Sequence, residues 1–157
     1  MRIAMPPTRT SPQSGFSLIE AMVSLVVVSV GMIGIAALYG QGLSAGRTAL
    51  YRTQAVNLAA DMADRIRSNR QGGANYNGGA GADNKCDPGG GVNCTPPQMA
   101  AHDLWVWTRQ VAQQLPNGVG VVAYTATVPP TFTIRIDWQD TGMGAVNYQA
   151  TIRVPTL

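Results

Sequence analysis

Three hydrophobic rhythms divide the chain. From Phe16 to Leu38 nearly every residue is apolar or small, and no charged residue occurs from Ala21 to Gly46. From Arg47 to Arg70 the apolar residues narrow to one stripe. Tyr51, Ala55, Leu58, Met62 and Ile66 recur three or four apart, while Asp61, Asp64, Arg65 and Ser68 fall largely off that face. Near the C-terminus the period drops to two. Phe132, Ile134, Ile136 and Trp138 alternate with Thr133, Arg135 and Asp137, and Tyr148, Ala150, Ile152 and Val154 alternate with Gln149, Thr151 and Arg153.

These rhythms predict the elements. No proline interrupts residues 16 to 87, so one continuous helix is expected from about Phe16 to Asn69. Its first part, residues 16–38, rises about 35 Å and is long enough to cross a hydrocarbon core of roughly 30 Å. A cleaved secretory signal has an apolar core of only about 7–15 residues, so this run is too long for one. A second helix is expected over Gln98–Gln114, with Leu104, Trp107, Val111 and Leu115 on one face and Pro116-Asn117-Gly118 as its stop. Strands are expected over Val119–Val128, Thr131–Gln139 and Val146–Val154, separated by Pro129-Pro130 and Asp140-Thr141-Gly142-Met143-Gly144. One polar and one apolar face per strand describe an antiparallel meander packed on a helix. The fold class is therefore α+β.

The segments between carry less pattern. Residues 1–15 hold three prolines, Arg2 and Arg9, and read as a basic leader. Positive charge before an apolar run favours a cytoplasmic N-terminus. Residues 71–98 are rich in Gly and Asn and read as a long loop. The expected organisation is a leader (1–15), a transmembrane half of the helix (16–38), its amphipathic half (39–70), the loop (71–98), and a short helix plus meander (99–157). The globular domain takes in 47–157. Gly31, Gly34, Gly40, Gly42 and Gly46 punctuate the first helix. They read equally as ordinary tolerance and as places where the helix loosens or packs closely on a neighbour.

Charge alters this picture at one point. The chain carries 11 Lys and Arg against 8 Asp and Glu. With Arg2 and Arg9 in the leader the remainder is nearly neutral, so no nucleic-acid surface is indicated. Within the apolar run the one charge is Glu20. A charge at the centre of a membrane helix costs about 2.5–3.5 kcal/mol, and somewhat less near the interface. Glu20 therefore either sits at the membrane edge or finds a counter-charge there.

Candidate chemistry is sparse. Cys86 and Cys94 are the only cysteines, and beyond a membrane they read as a disulfide tying the distal part of the loop. A metal site would need more ligands than these and His102, the single histidine. His102 precedes Asp103 but adjacent helical residues diverge, so surface or capping roles are expected rather than a dyad. Asp83, Asn84 and Asp87 lack the spacing of a calcium loop. The Gly-rich loop lacks the Lys-Ser or Lys-Thr of a phosphate loop. Arg65, Arg67 and Arg70 read as cations complementing a helix C-terminus rather than a phosphate site. The three tryptophans read as packing, with Trp105 covering an edge of the second helix. No enzyme and no cofactor is indicated.

Gly15 followed by Phe16-Ser17-Leu18-Ile19-Glu20 and a long apolar helix, behind a short basic leader, resembles the processing site of type IV prepilins and pseudopilins. Downstream, the run Gln54–Asn69, the two cysteines, Asp103-Leu104-Trp105, Leu115-Pro116-Asn117-Gly118 and Ile136-Asp137-Trp138 resemble the PilV branch of minor pilins. The resemblance implies a type IV pilin-like fold: a long N-terminal helix on a small antiparallel sheet, with a second short helix in a disulfide-tied αβ loop. It implies cleavage between Gly15 and Phe16 by a prepilin peptidase, N-methylation of Phe16, and an assembly role for Glu20 in neutralising a neighbour's N-terminal amine. Implied partners are other minor pilins, the major pilin and the inner-membrane assembly platform. The implied location is the bacterial inner membrane with a periplasmic C-terminal domain, and then the pilus. One departure stands out: the helix-kinking proline of major pilins, about 22 residues into the mature chain, is Ala37 here. That fits a minor pilin or pseudopilin better than a bulk fibre subunit. The alternatives within this resemblance are a minor pseudopilin of type II secretion and a pilus-tip adhesin or DNA receptor using the 71–98 loop.

Overall fold

A computed structural model describes residues 15–86 and 92–155. The element order is α1 (Leu18–Ser68), a 3-10 segment (Arg70–Tyr76), α2 (Pro96–Gln114), β1 (Val119–Thr125), β2 (Thr131–Asp140) and β3 (Gly144–Arg153). The chain divides into two compact units between Gln41 and Gly42, and α1 contributes to both.

In the first unit α1 is apolar all round and exposed all round. It is long and apolar enough to cross a membrane. The hydroxyls of Ser24 and Ser29 donate back to the carbonyls of Glu20 and Leu25 at 2.8 and 2.7 Å. Polar side chains satisfied within their own helix are compatible with an apolar surround. No side chain lies within 4 Å of a Cβ built at Gly31, Gly34 or Gly40, so packing inside the chain does not require those glycines.

In the second unit the core is built from three surfaces. α1 buries Ala55, Leu58, Ala59, Met62, Ala63 and Ile66, which is the stripe read from the sequence with small residues filling its margin. α2 buries Ala100, Leu104, Trp107 and Val111. The sheet contributes Val122, Phe132, Ile134, Ile136 and Trp138. Each large apolar side chain buried this way contributes about 1.5–3 kcal/mol. Trp107 sits at the centre, and its Nε1–H donates to the Leu58 carbonyl of α1 at 2.8 Å. Gly120 of β1 faces that indole; a Cβ there would lie 2.6 Å from Cη2.

The sheet is an antiparallel meander in the order β1-β2-β3. Val122, Ile134 and Ala150 are in register across it. β1 ends at Thr125, three residues short of the expected Val128. There the Thr127 amide turns back to the Thr125 carbonyl and the Thr127 hydroxyl meets the Pro129 carbonyl. β3 begins at Gly144 rather than Val146, because the hairpin pairs Asp140 with Gly144. α2 begins at Pro96 rather than Gln98. Both prolines fit the first turn, where the missing N–H has no intrahelical partner, and the Gln98 side chain accepts the Thr95 amide at 2.9 Å.

The reading of 71–98 as wholly loop is corrected. Its first part is the 3-10 segment, which buries Tyr76 completely, and Gly78 then pairs with Val122 of β1 in an isolated bridge. A seven-residue turn rich in glycine has too little apolar periodicity to announce itself. Its order comes from contacts far along the chain.

Candidate processing site and the polar cluster of the domain

Residues 15–17 are non-helical and α1 starts at Leu18, so the Gly15–Phe16 bond lies just outside the helix. The Ser17 carbonyl accepts the amides of Glu20 and Ala21 at 3.0 and 3.2 Å, closing the first turn. Phe16 is 85 % exposed. Among the described residues, chain neighbours apart, no atom lies within 4 Å of a Cβ built on Gly15, so packing against them does not demand glycine there. Residues 1–14, most of the expected leader, lie outside the described residues.

Glu20 occupies the first turn of α1, where a carboxylate complements the positive end of the helix dipole. It makes no ion pair among the described residues. Leu18, Ile19, Met22 and Val23 around it are all exposed. An apolar helix with every face open, carrying one uncompensated acid near its start, has the chemistry of a surface that other helices or lipid cover.

In the globular unit the titratable groups meet around Asp103. Arg65 donates Nε to Asp61 at 2.9 Å and Nη1 to Asp103 at 3.0 Å. The Tyr76 hydroxyl donates to the other Asp103 oxygen at 2.6 Å and receives the Asn69 amide at 3.1 Å. Asn69 also reaches the Pro96 carbonyl at 2.8 Å. One buried carboxylate thus joins the end of α1, the 3-10 segment and α2. Burial first, and then the hydrogen bond and charge of Asp103, push the Tyr76 hydroxyl far above its ordinary 10.0. Burial pulls the Arg65 guanidinium down, but its bonds and charge pairs with Asp61 and Asp103 outweigh it and the net shift is upward. Arg67 pairs with Asp64 at 2.7 Å and Arg70 donates to the Arg67 carbonyl at 3.3 Å. Of the three arginines, only Arg70 donates to a carbonyl of the helix end, while Arg65 and Arg67 pair with carboxylates.

His102 departs from expectation. It is 3 % exposed, not a surface residue. Its ring stacks on Trp105 at 5.9 Å, and its Nδ1 lies 3.4 Å from Asp83. Arg109 covers Trp105 with its guanidinium 4.6 Å from the ring centroid, so Trp105 does cover an edge of α2. The adjacent Asp103 faces Arg65 and Tyr76, and the two residues form no dyad.

Cys86 and Cys94 are joined in a disulfide. Asp83 accepts the Lys85 amide and Asn84 donates to the Gln98 carbonyl; Asp87 lies outside the described residues. Among the described residues no group of three or more metal-ligating side chains occurs. The residues missed by sequence reasoning are Tyr76 and Asn69. The only signal for Tyr76 was a single aromatic in a Gly-Asn run.

Two family models match the chain. Residues 10–36 match the prokaryotic N-terminal methylation motif, and residues 37–105 match the type IV pilin Tt1218 family. No curated protein and no solved structure matches it. The first match brackets Gly15, Phe16 and Glu20; the second runs from the apolar helix through the disulfide and into α2. The long helix, the three-stranded antiparallel sheet, the short helix and the loop disulfide are together consistent with a type IV pilin fold, and the matched stretches are similar to the type IV pilin Tt1218 family and to the N-terminal methylation motif of prepilins.

Proposed function

We propose that this chain is a non-enzymatic minor pilin of the PilV type that takes part in starting or capping a type IV pilus. Residues 1–15 are removed on the cytoplasmic side by a prepilin peptidase, and the new amine of Phe16 is N-methylated. Residues 16–38 hold the protein in the inner membrane with residues 47–157 in the periplasm, and the subunit then passes into the pilus. Glu20 meets the N-terminal amine of a neighbouring subunit, another minor pilin or the major pilin, within the helix bundle.

The observation that carries this reading is Glu20. It is a carboxylate in an exposed apolar helix with no counter-charge among the described residues, and it lies inside the matched methylation motif. A charge so placed is accommodated at the membrane edge or by a partner's opposite charge, and its position in the methylation motif favours the partner. The absence of proline at Ala37 supports a minor subunit over a bulk fibre subunit.

The test is a pair of variants in the producing cell. Gly15→Glu blocks cleavage, so the protein keeps its slower, unprocessed mobility. Glu20→Ala is processed normally but loses assembly, and pili disappear. Normal pili in both variants refute the reading. Loss of secretion with pili intact places the chain in a type II secretion pseudopilus instead.

A further inference from the structure

β3 is the open edge of the sheet. The outer edge of β1 is closed: Gly78 and Val122 exchange backbone bonds at 2.8 and 2.9 Å, and the Asn77 side chain accepts the Tyr124 amide at 3.0 Å. Nothing comparable lies along β3 among the described residues. An unpaired strand presents alternate N–H and C=O groups, and folded proteins usually blunt such an edge with lysine, proline or a bulge. β3 reads Gly-Ala-Val-Asn-Tyr-Gln-Ala-Thr-Ile-Arg, with neither lysine nor proline and a single charge at its end.

Beside the first half of β3 runs a groove of about 590 Å³, walled by Arg52 and Val56 of α1, Trp138 of β2, and Val146, Asn147 and Tyr148 of β3. One of its polar groups lacks a partner and another is only weakly engaged. Trp138 is 3 % exposed, and its buried Nε1–H meets no acceptor. Buried donors are paired in the great majority of cases, so each exception calls for an explanation. Arg52 makes no ion pair among the described residues and touches only the Met143 sulfur, at 4.0 Å. Asp140 lies within its field, but the two form no ion pair among the described residues and Arg52 stays exposed.

We propose that the β3 edge and this groove form a strand-addition site for an extended segment of another protein, one that carries a carboxylate beside an apolar side chain. The incoming backbone pairs with the stretch around Asn147, its apolar side chain rests on Val56 and Val146, and its carboxylate reaches Arg52. Main-chain pairing supplies the affinity of such additions, and side-chain pockets supply the choice of partner. The sheet of a second copy does not fit. β1 is closed, and neither β1 nor β3 contains an acidic residue. This site is independent of the N-terminal helix and of the reading built on it.

The test uses the full chain in detergent micelles and two seven-residue peptides of alternating valine and threonine, one with a central glutamate and one with a central lysine. The glutamate peptide is expected to bind at least tenfold more tightly, to slow exchange of alternate amides between Ala145 and Gln149, and to move the Trp138 indole N–H resonance. Arg52→Glu, at an exposed position, reverses the preference between the peptides. Asn147→Pro abolishes pairing by both. Equal binding of the two peptides, protection elsewhere in the chain, or a preference unchanged in Arg52→Glu overturns the proposal, as does failure of the glutamate peptide to bind.

Discussion

Removing one oxygen at Tyr76 tests the idea that Asp103 fastens the domain together. In Tyr76→Phe the ring keeps its place, edge-on to Phe132 at 6.5 Å between centroids. What disappears is the 2.6 Å hydrogen bond to Asp103 and the acceptor for Asn69. Asp103 keeps Arg65 on its other oxygen, and Asn69 keeps the Pro96 carbonyl, so each retains one partner. A hydrogen bond to a charged acceptor contributes about 1.5–3 kcal/mol, and the surviving partners put the loss near 2 kcal/mol. For a unit of this size that lowers the melting temperature by roughly 6–10 °C. Thermal unfolding of the full chain in detergent, followed by near-ultraviolet circular dichroism, reads it. A pH series adds a control with a definite sign. The Tyr76 pKa is raised in the folded state, so its contribution is full below the unfolded value of 10.0 and is lost as pH rises above it. The difference between parent and variant therefore shrinks above pH 10. A variant as stable as the parent at pH 7, or a difference unchanged by alkali, refutes the role given to this bond.

Gly120→Ala places a methyl against the Trp107 indole; overpacking of this kind costs about 1–3 kcal/mol, read as a lower unfolding midpoint with an altered tryptophan signal. Cys86→Ser opens a loop whose ends are 8 residues apart, which lowers stability by roughly 2–3 kcal/mol on chain-entropy grounds; a midpoint no different from that of the reduced parent is the expected control. Asp140 is held below its ordinary 3.8 by the Gly142 amide first and then by the Thr48 hydroxyl. Its contribution is present above that value and is lost as pH falls below it. The gap between parent and Asp140→Asn in an acid titration therefore closes below about pH 3.8, and a gap that persists there counts against the assignment.

Elements with a sustained period were readable from the chain. The β2 alternation is reproduced residue by residue in its burial, and the α1 stripe is the buried face of that helix. Both depend on local spacing alone. The 3-10 segment was not readable, because Tyr76 is buried by groups that lie 27 residues along the chain at Asp103 and about twice that at Phe132. His102 failed for a related reason. A histidine near a helix start is ordinarily solvated, and here Trp105 on one side and Asp83 from the loop lie against it. Strand ends shifted by a few residues, because hairpin pairing rather than composition sets them. Within the processing segment the residue types were legible, but the exposure of Phe16 and the empty space around Gly15 needed coordinates.

The bond from the Trp107 indole to the Leu58 carbonyl has a mechanical consequence. Its acceptor belongs to the backbone of α1, and the Arg65 to Asp103 pair ties the same helix to α2 about two turns further on. A pull along α1 loads these two ties and the buried stripe between them in parallel. The domain therefore resists tension as a sheared face resists it, all ties together, and not as a zipper opened one contact at a time. Force-extension traces should then show one abrupt rupture, and removing the indole donor should lower that rupture force without adding a second step.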